Sequence, residues 1–248
     1  MRIGAVPYLN GKPLIYGLDN EPEVEIIYEV PSRLANMLEK NELAAGLVSS
    51  AACFMNPCLQ IVPGISISCD GPAESVKIFH KGKIEDIHKV ALDTSSLTGV
   101  LLAKIVLRER YNLSPEYVQM PPSLPEMLKK YDAAVVIGDT TMCTPRHKDW
   151  YELDLGEEWH LLTGLPFVFA IWAVNPDMAN PDLVEILLRA KERGLDSLDE
   201  ISKSEAERLG LPIKTCHRYL SEIMNYDLTE RHIQGLKLFY EKASEYIR

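Results

Sequence analysis

The sequence predicts an α/β protein of two lobes with a ligand cleft between them, from three observations. First, one unit occurs twice: a proline-serine start, a short amphipathic helix, a buried apolar strand and a small polar turn. One copy runs Pro31-Ser32-Arg33-Leu34-Ala35-Asn36-Met37-Leu38 into Leu43-Ala44-Ala45-Gly46-Leu47-Val48 and ends at Ser49-Ser50. The other runs Pro122-Ser123-Leu124-Pro125-Glu126-Met127-Leu128 into Ala133-Ala134-Val135-Val136-Ile137 and ends at Gly138-Asp139-Thr140-Thr141. Second, a buried strand followed by a polar turn and a new helix is where α/β folds place ligands, outside the carboxyl ends of the strands. Third, no long linker or low-complexity run separates the copies. The lobes are therefore expected to comprise residues 1–80 with 172–248, and 81–171. Two short crossings, near residues 76–81 and 167–173, are expected to join them in a hinge.

Taken in order, residues 2–6 read as a short buried strand, then Tyr8-Leu9-Asn10-Gly11-Lys12-Pro13 as a turn into a helix beginning near Leu14. Residues 24–28 alternate apolar and acidic side chains, the period of a half-exposed strand. Ser32 is a good N-cap for a helix carrying Leu34, Met37 and Leu38 on one face, and residues 43–48 form the next strand. Residues 61–68 and Val76–His80 read as extended about the turn Asp70-Gly71-Pro72. Val90-Ala91-Leu92 is a short strand ending at Asp93-Thr94-Ser95-Ser96-Leu97-Thr98. Residues 100–111 carry Leu101, Leu102, Ile105 and Val106 at helical spacing, stopping before Asn112.

Residues 151–165 mix acids, Trp159 and a turn at Thr163-Gly164. Glu157 and Glu158 point apart as helix neighbours and read as a solvated face. Trp159 and Trp172 read as core or pocket aromatics. Residues 166–174 are a continuous apolar strand, long enough to cross between lobes. Asn180 then caps and Pro181 opens a helix to Arg193, ended by Gly194. Helices over 201–209, 216–224 and 229–247 follow, the last with Leu236, Phe239, Tyr240 and Ala243 at helical spacing for packing on the first lobe.

The 248 residues are 46% hydrophobic and 25% charged, enough for a substantial core. No stretch approaches the roughly 18 apolar residues that cross a bilayer, so no membrane partner is expected. The first residues are too polar for the apolar segment of a secretion signal, about 7–15 residues long, which predicts a cytoplasmic protein. Five cysteines without a Cys-x-x-Cys pair, and six histidines without metal spacing, predict no metal site. A net charge of −10 argues against nucleic acid as a partner. It leaves room for a small anion, because backbone dipoles act locally.

Four strand-to-helix turns end in hydroxyl or amide residues: Asn10-Gly11, Ser49-Ser50, Thr94-Ser95-Ser96 with Thr98, and Gly138-Asp139-Thr140-Thr141. Each sets free backbone N–H groups at a helix start, where carboxylates or phosphates bind. Such residues are also ordinary helix caps; four of them split between two lobes point to an anion-binding cleft. Sharper signatures are absent. A phosphate loop fails at Pro13, and neither Gly-x-Gly-x-x-Gly nor Gly-x-Ser-x-Gly occurs.

Together, Arg2-Ile3-Gly4-Ala5-Val6-Pro7-Tyr8-Leu9-Asn10 with Pro13-Leu14, Gly71-Pro72 before Ser75-Val76, Ala91-Leu92-Asp93-Thr94-Ser95-Ser96-Leu97-Thr98 and Ile137-Gly138-Asp139 form a collinear pattern. It continues through Asp154-Leu155-Gly156-Glu157-Glu158-Trp159 and Leu162-Thr163-Gly164-Leu165-Pro166-Phe167-Val168-Phe169-Ala170. The pattern resembles the chorismate dehydratase family of the futalosine route to menaquinone. The resemblance implies a type II periplasmic-binding-protein-like fold and loss of water from chorismate to give 3-[(1-carboxyvinyl)oxy]benzoate, with no metal or organic cofactor. Gly11, where the family more often has a small hydroxyl residue, and Ala73, in place of a usual valine, depart from it.

On this resemblance Asn10 stands beside the reacting centre, holding ring substituents or the leaving hydroxyl. The proton acceptor is either Asp139 or the substrate's own enolpyruvyl carboxylate. Ser49, Thr94, Ser95 and Ser96 hold carboxylates, and Ser50, Ser75, Thr98 and Gly138 complete the substrate-binding set. Two other functions fit the same architecture: a small-anion solute-binding protein, whose usual exported form carries a signal segment, and the sister 1,4-dihydroxy-6-naphthoate synthase, whose family begins with a different turn sequence.

Overall fold

The computed structural model describes residues 1–145, 147–176, 178 and 182–247. Asn180 and Pro181, expected to start a helix, and the Ser32 side chain lie outside the described residues. The first half runs β1 (Arg2–Ala5), α1 (Lys12–Ile15), β2 (Glu25–Tyr28), α2 (Pro31–Glu39), β3 (Ala45–Ser49), α3 (Ser50–Met55) and β4 (Gln60–Cys69). The second runs β5 (Val76–His80), β6 (Lys89–Asp93), α4 (Leu97–Tyr111), β7 (Glu116–Met120), α5 (Leu124–Lys130), β8 (Ala133–Ile137), α6 (Asp139–Cys143), β9 (Tyr151–Asp154) and α7 (Leu155–Thr163). Then β10 (Phe167–Val174) leads into α8 (Leu183–Asp196), α9 (Leu198–Leu209), α10 (Ile213–Arg218) with the π-helical turn Tyr219–Ile223, and α11 (Glu230–Ala243).

Two five-stranded sheets result, ordered β2-β1-β3-β10-β4 and β7-β6-β8-β5-β9. In each, a β-α-β-α-β run supplies three parallel strands, and one reversed strand, β10 or β5, pairs antiparallel with its neighbours on both sides. The repeated unit of the sequence is α2–β3 in one sheet and α5–β8 in the other, in equivalent places. Proline opens α2 at Pro31, so the cap position falls on Val30 and not on Ser32.

The two segments expected to be crossings are strands. Val76–His80 pairs with β8 and β9, and Phe167–Val174 with β3 and β4. The sheets therefore divide the chain at residues 70–75 and 164–166, not at 80/81 and 171/172. A continuous apolar strand satisfies its backbone best in an inner position with partners on both edges, and each of these takes that position. Arg231 on α11 ties the two true crossings together, donating to Asp70 Oδ2 at 2.9 Å and to the Gly164 carbonyl at 2.9 Å. Helix α11 packs on β10 and α3 and also on α4, so it spans both lobes and not the first alone.

Three local expectations change with packing. Gly194 lies inside α8, where the helix backbone rests on Pro13; a Cβ there would come 1.9 Å from the Pro13 carbonyl oxygen. Glu158 is buried and ion-paired, its Oε2 2.5 Å from Arg110 Nε, because this face of α7 packs on α4. Trp159 and Trp172 are fully buried core residues. Among the described residues, no helix is long and apolar enough to cross a membrane.

Candidate active site

The parallel strands β1, β3, β6 and β8 end toward the space between the sheets, and a cavity lies there. Each predicted turn contributes to its wall: Asn10 after β1, Ser49 at the end of β3, Ser96 and Thr98 at the start of α4, and Gly138 after β8. Ser75 joins them from the crossing, and Val6, Tyr8, Ile67, Val76, Ile137 and Phe169 supply apolar surface. No charged side chain lines the cavity among the described residues. Its polar wall groups are neutral, and the 15-residue α4, with no acid in its first turn, begins at it.

Ser75 is presented by an unusual turn. Its N–H donates to the Ala73 carbonyl at 2.7 Å, closing a three-residue turn with Glu74 at φ +59°. Non-glycine residues adopt that region at a cost, and only when their surroundings hold them. Here the Asp154 carboxylate does so: Oδ1 accepts the Ala73 N–H at 2.8 Å and Oδ2 the Glu74 N–H at 2.6 Å. The same Oδ1 caps α7, accepting from Gly156 at 3.0 Å and Glu157 at 3.2 Å. The Ser75 hydroxyl receives a hydrogen bond from the Tyr219 hydroxyl at 2.8 Å.

Other predicted residues have structural partners. Ser96 caps α4, its Oγ accepting the Gly99 N–H at 3.0 Å. Thr98 Oγ1 accepts the Ala51 N–H at 3.1 Å, so the second amide of α3 is bound by the opposite lobe. Ser50 is fully buried, donates to the Val168 carbonyl at 2.8 Å and does not line the cavity. Ser95 is set back from the wall, donating its N–H at 2.8 Å and its hydroxyl at 2.5 Å to Asp93 Oδ1; Thr94 is exposed. Burial, above all, raises the Tyr8 phenol pKa.

Asp139 also stands outside the wall. Its Oδ1 accepts the Leu9 N–H at 2.9 Å and its Oδ2 takes Arg208 Nη2 at 2.7 Å. Arg208 in turn meets Glu205, which meets Lys12 at 3.2 Å. Asp139 thus ties the turn carrying Asn10 to the opposite lobe. Sequence reasoning missed Tyr8 as a wall residue, although it adjoins Asn10. It missed Tyr219 altogether, which lies 144 residues beyond Ser75.

Gly138 has φ +71° and ψ −154°, backbone reserved for glycine, and an added Cβ would lie 3.3 Å from the Tyr8 ring. Gly138→Ala is expected to destabilise the fold by about 1–3 kcal/mol in urea unfolding. Unchanged stability would show that the turn relaxes freely.

Comparison with known proteins adds three findings. A family model described as menaquinone biosynthesis matches residues 1–245. A chorismate dehydratase of Thermus thermophilus is 34% identical over 96% of this chain and 93% of its own length. Among solved structures, the Candida albicans CA3427 gene product, described as having the generic periplasmic binding protein fold, superposes with a TM-score of 0.73 at 11% identity, covering 100% of this chain and 91% of that one. The periplasmic aliphatic sulphonate binding protein SsuA of Escherichia coli gives 0.67 at 15%, covering 99% and 87%. The fold is that of the periplasmic binding proteins.

Proposed function

The chain belongs to the chorismate dehydratase family of menaquinone biosynthesis, and from that premise we propose that its interlobe cavity converts chorismate to 3-[(1-carboxyvinyl)oxy]benzoate, as a hydro-lyase in the cytoplasm. The observation that carries the reading is convergence: within a family match spanning residues 1–245, polar residues of four separated turns line one cavity.

Chorismate is a dianion, and a cage of neutral donors suits it. The helix dipole contributes about 0.3–1 kcal/mol, and each hydrogen bond to a carboxylate about 1.5–3 kcal/mol. In this reading Ser49, Ser96, Thr98 and the α4 N-terminus take the carboxylates, and Asn10 and Ser75 flank the ring. The reaction removes a proton from the ring carbon bearing the ether and hydroxide from its neighbour, which leave together as water. Aromatisation supplies the driving force, so the protein's work is to orient the ring and exclude bulk water. Both Asp139 oxygens are engaged by Arg208 and Leu9, which favours the substrate's enolpyruvyl carboxylate as proton acceptor.

Incubation of the purified protein with chorismate is expected to produce an aromatic ultraviolet absorbance. Chorismate bound but unchanged would mark a solute-binding protein and overturn the reading. Turnover of cyclised dehypoxanthine futalosine instead would assign the sister activity.

A further inference from the structure

Asn10 and Ser75 both line the cavity, and one buried side chain stands behind Ser75. Tyr219 begins the π-helical turn after α10 and is 1% exposed. Its hydroxyl donates to Ser75 Oγ at 2.8 Å, and Ser75 Oγ lies 3.3 Å from the Ala73 carbonyl, to which it donates. Burial keeps the phenol above its usual range, against a smaller opposing effect of Asn10, so Tyr219 stays neutral and donates its proton to Ser75.

The segment bearing Tyr219 is pinned on both sides. Arg218 pairs with Glu74 of the strained turn, and Asn225 exchanges backbone hydrogen bonds of 2.8 and 2.9 Å with Ser68 on β4. A π-helical turn adds a residue to the helical ring and often marks a functional place. Here it sets the phenol between two lobes.

We infer that Tyr219 is a positioning residue for the dehydration, orienting the Ser75 hydroxyl toward the substrate. It rests on the reading of the preceding subsection. With Tyr219 as its donor, Ser75 can turn its one proton from the Ala73 carbonyl to the substrate.

Tyr219→Phe keeps the ring and removes only the hydroxyl. Its kcat for chorismate is expected to fall about 10- to 100-fold while KM stays within about 3-fold of the parent. In a Ser75→Ala background, followed with protein in excess over chorismate, the same substitution is expected to slow turnover by no more than about 2-fold, because its partner is gone. A Tyr219→Phe protein with parental kcat overturns the inference. So does an equal loss in both backgrounds, or loss of the folded near-ultraviolet circular dichroism, since either assigns the hydroxyl to stability alone. A parent protein that leaves chorismate unchanged removes the functional reading and this inference with it.

Discussion

Replacing Asn10 by alanine is expected to lower chorismate turnover about 10²- to 10³-fold, the loss typical of one preorganised polar group at a reacting centre. Stability is expected to change by less than about 1 kcal/mol. The distinction follows from how the turn is built. Its backbone is held without the carboxamide: Gly11 N–H donates to the Tyr8 carbonyl at 3.0 Å, and Leu9, fully buried, donates its N–H to Asp139 at 2.9 Å. Removing the side chain therefore takes away a wall group while the 3-10 turn Leu9–Gly11 persists. Ultraviolet assays and urea unfolding on the same preparation read both quantities. Near-parental turnover would remove Asn10 from the site.

Asp154→Ala is expected to be the most damaging single change away from the cavity wall. One carboxylate accepts four backbone N–H groups, two in the turn that presents Ser75 and two at the start of α7. Loss of a helix cap costs about 1 kcal/mol, and buried donors left unpaired add about 1–3 kcal/mol more. The expected sum is about 2–4 kcal/mol of stability. Turnover should fall with it, because Glu74 at φ +59° no longer has a partner holding its strained backbone and Ser75 shifts. Asp154→Asn keeps one acceptor oxygen and should fall between the two. Urea unfolding alongside the chorismate assay measures both; a variant as stable and active as the parent would show that the turn does not need its clasp.

Much of the architecture was legible because it is local. The repeated unit reads directly onto α2–β3 and α5–β8, and the strand expected over residues 133–137 is β8. Asn112 ends α4 in a left-handed conformation, as the stop in the helical pattern implies. β7 gave no usable signal, being a short edge strand with partly exposed side chains. Val76–His80 and Phe167–Val174 were legible as strands but not as members of the other half's sheet, since period says nothing about which edge a strand joins.

The site was legible as chemistry and only in part as place. Asn10, Ser49, Ser75, Ser96, Thr98 and Gly138 share the cavity wall, whereas Ser50, Thr94, Ser95 and Asp139 do not. Ser50 and Asp139 look identical in sequence to residues that bind a ligand, a hydroxyl and a carboxylate beside a helix start. Their oxygens are bound by Val168, Leu9 and Arg208, partners far away along the chain. Glu158 fails for the same reason, since its pairing with Arg110 depends on α7 lying against α4.

The sequence by itself determined which segments become strands and helices, and which turns carry amides and hydroxyls, because side-chain period and capping are settled within a few residues. Only the tertiary structure decided which turns meet in one cavity and which polar groups are already satisfied. It also decided that Tyr219 closes on Ser75. A buried hydrogen bond depends on partners that the whole fold brings within 3 Å, and no local pattern encodes that meeting.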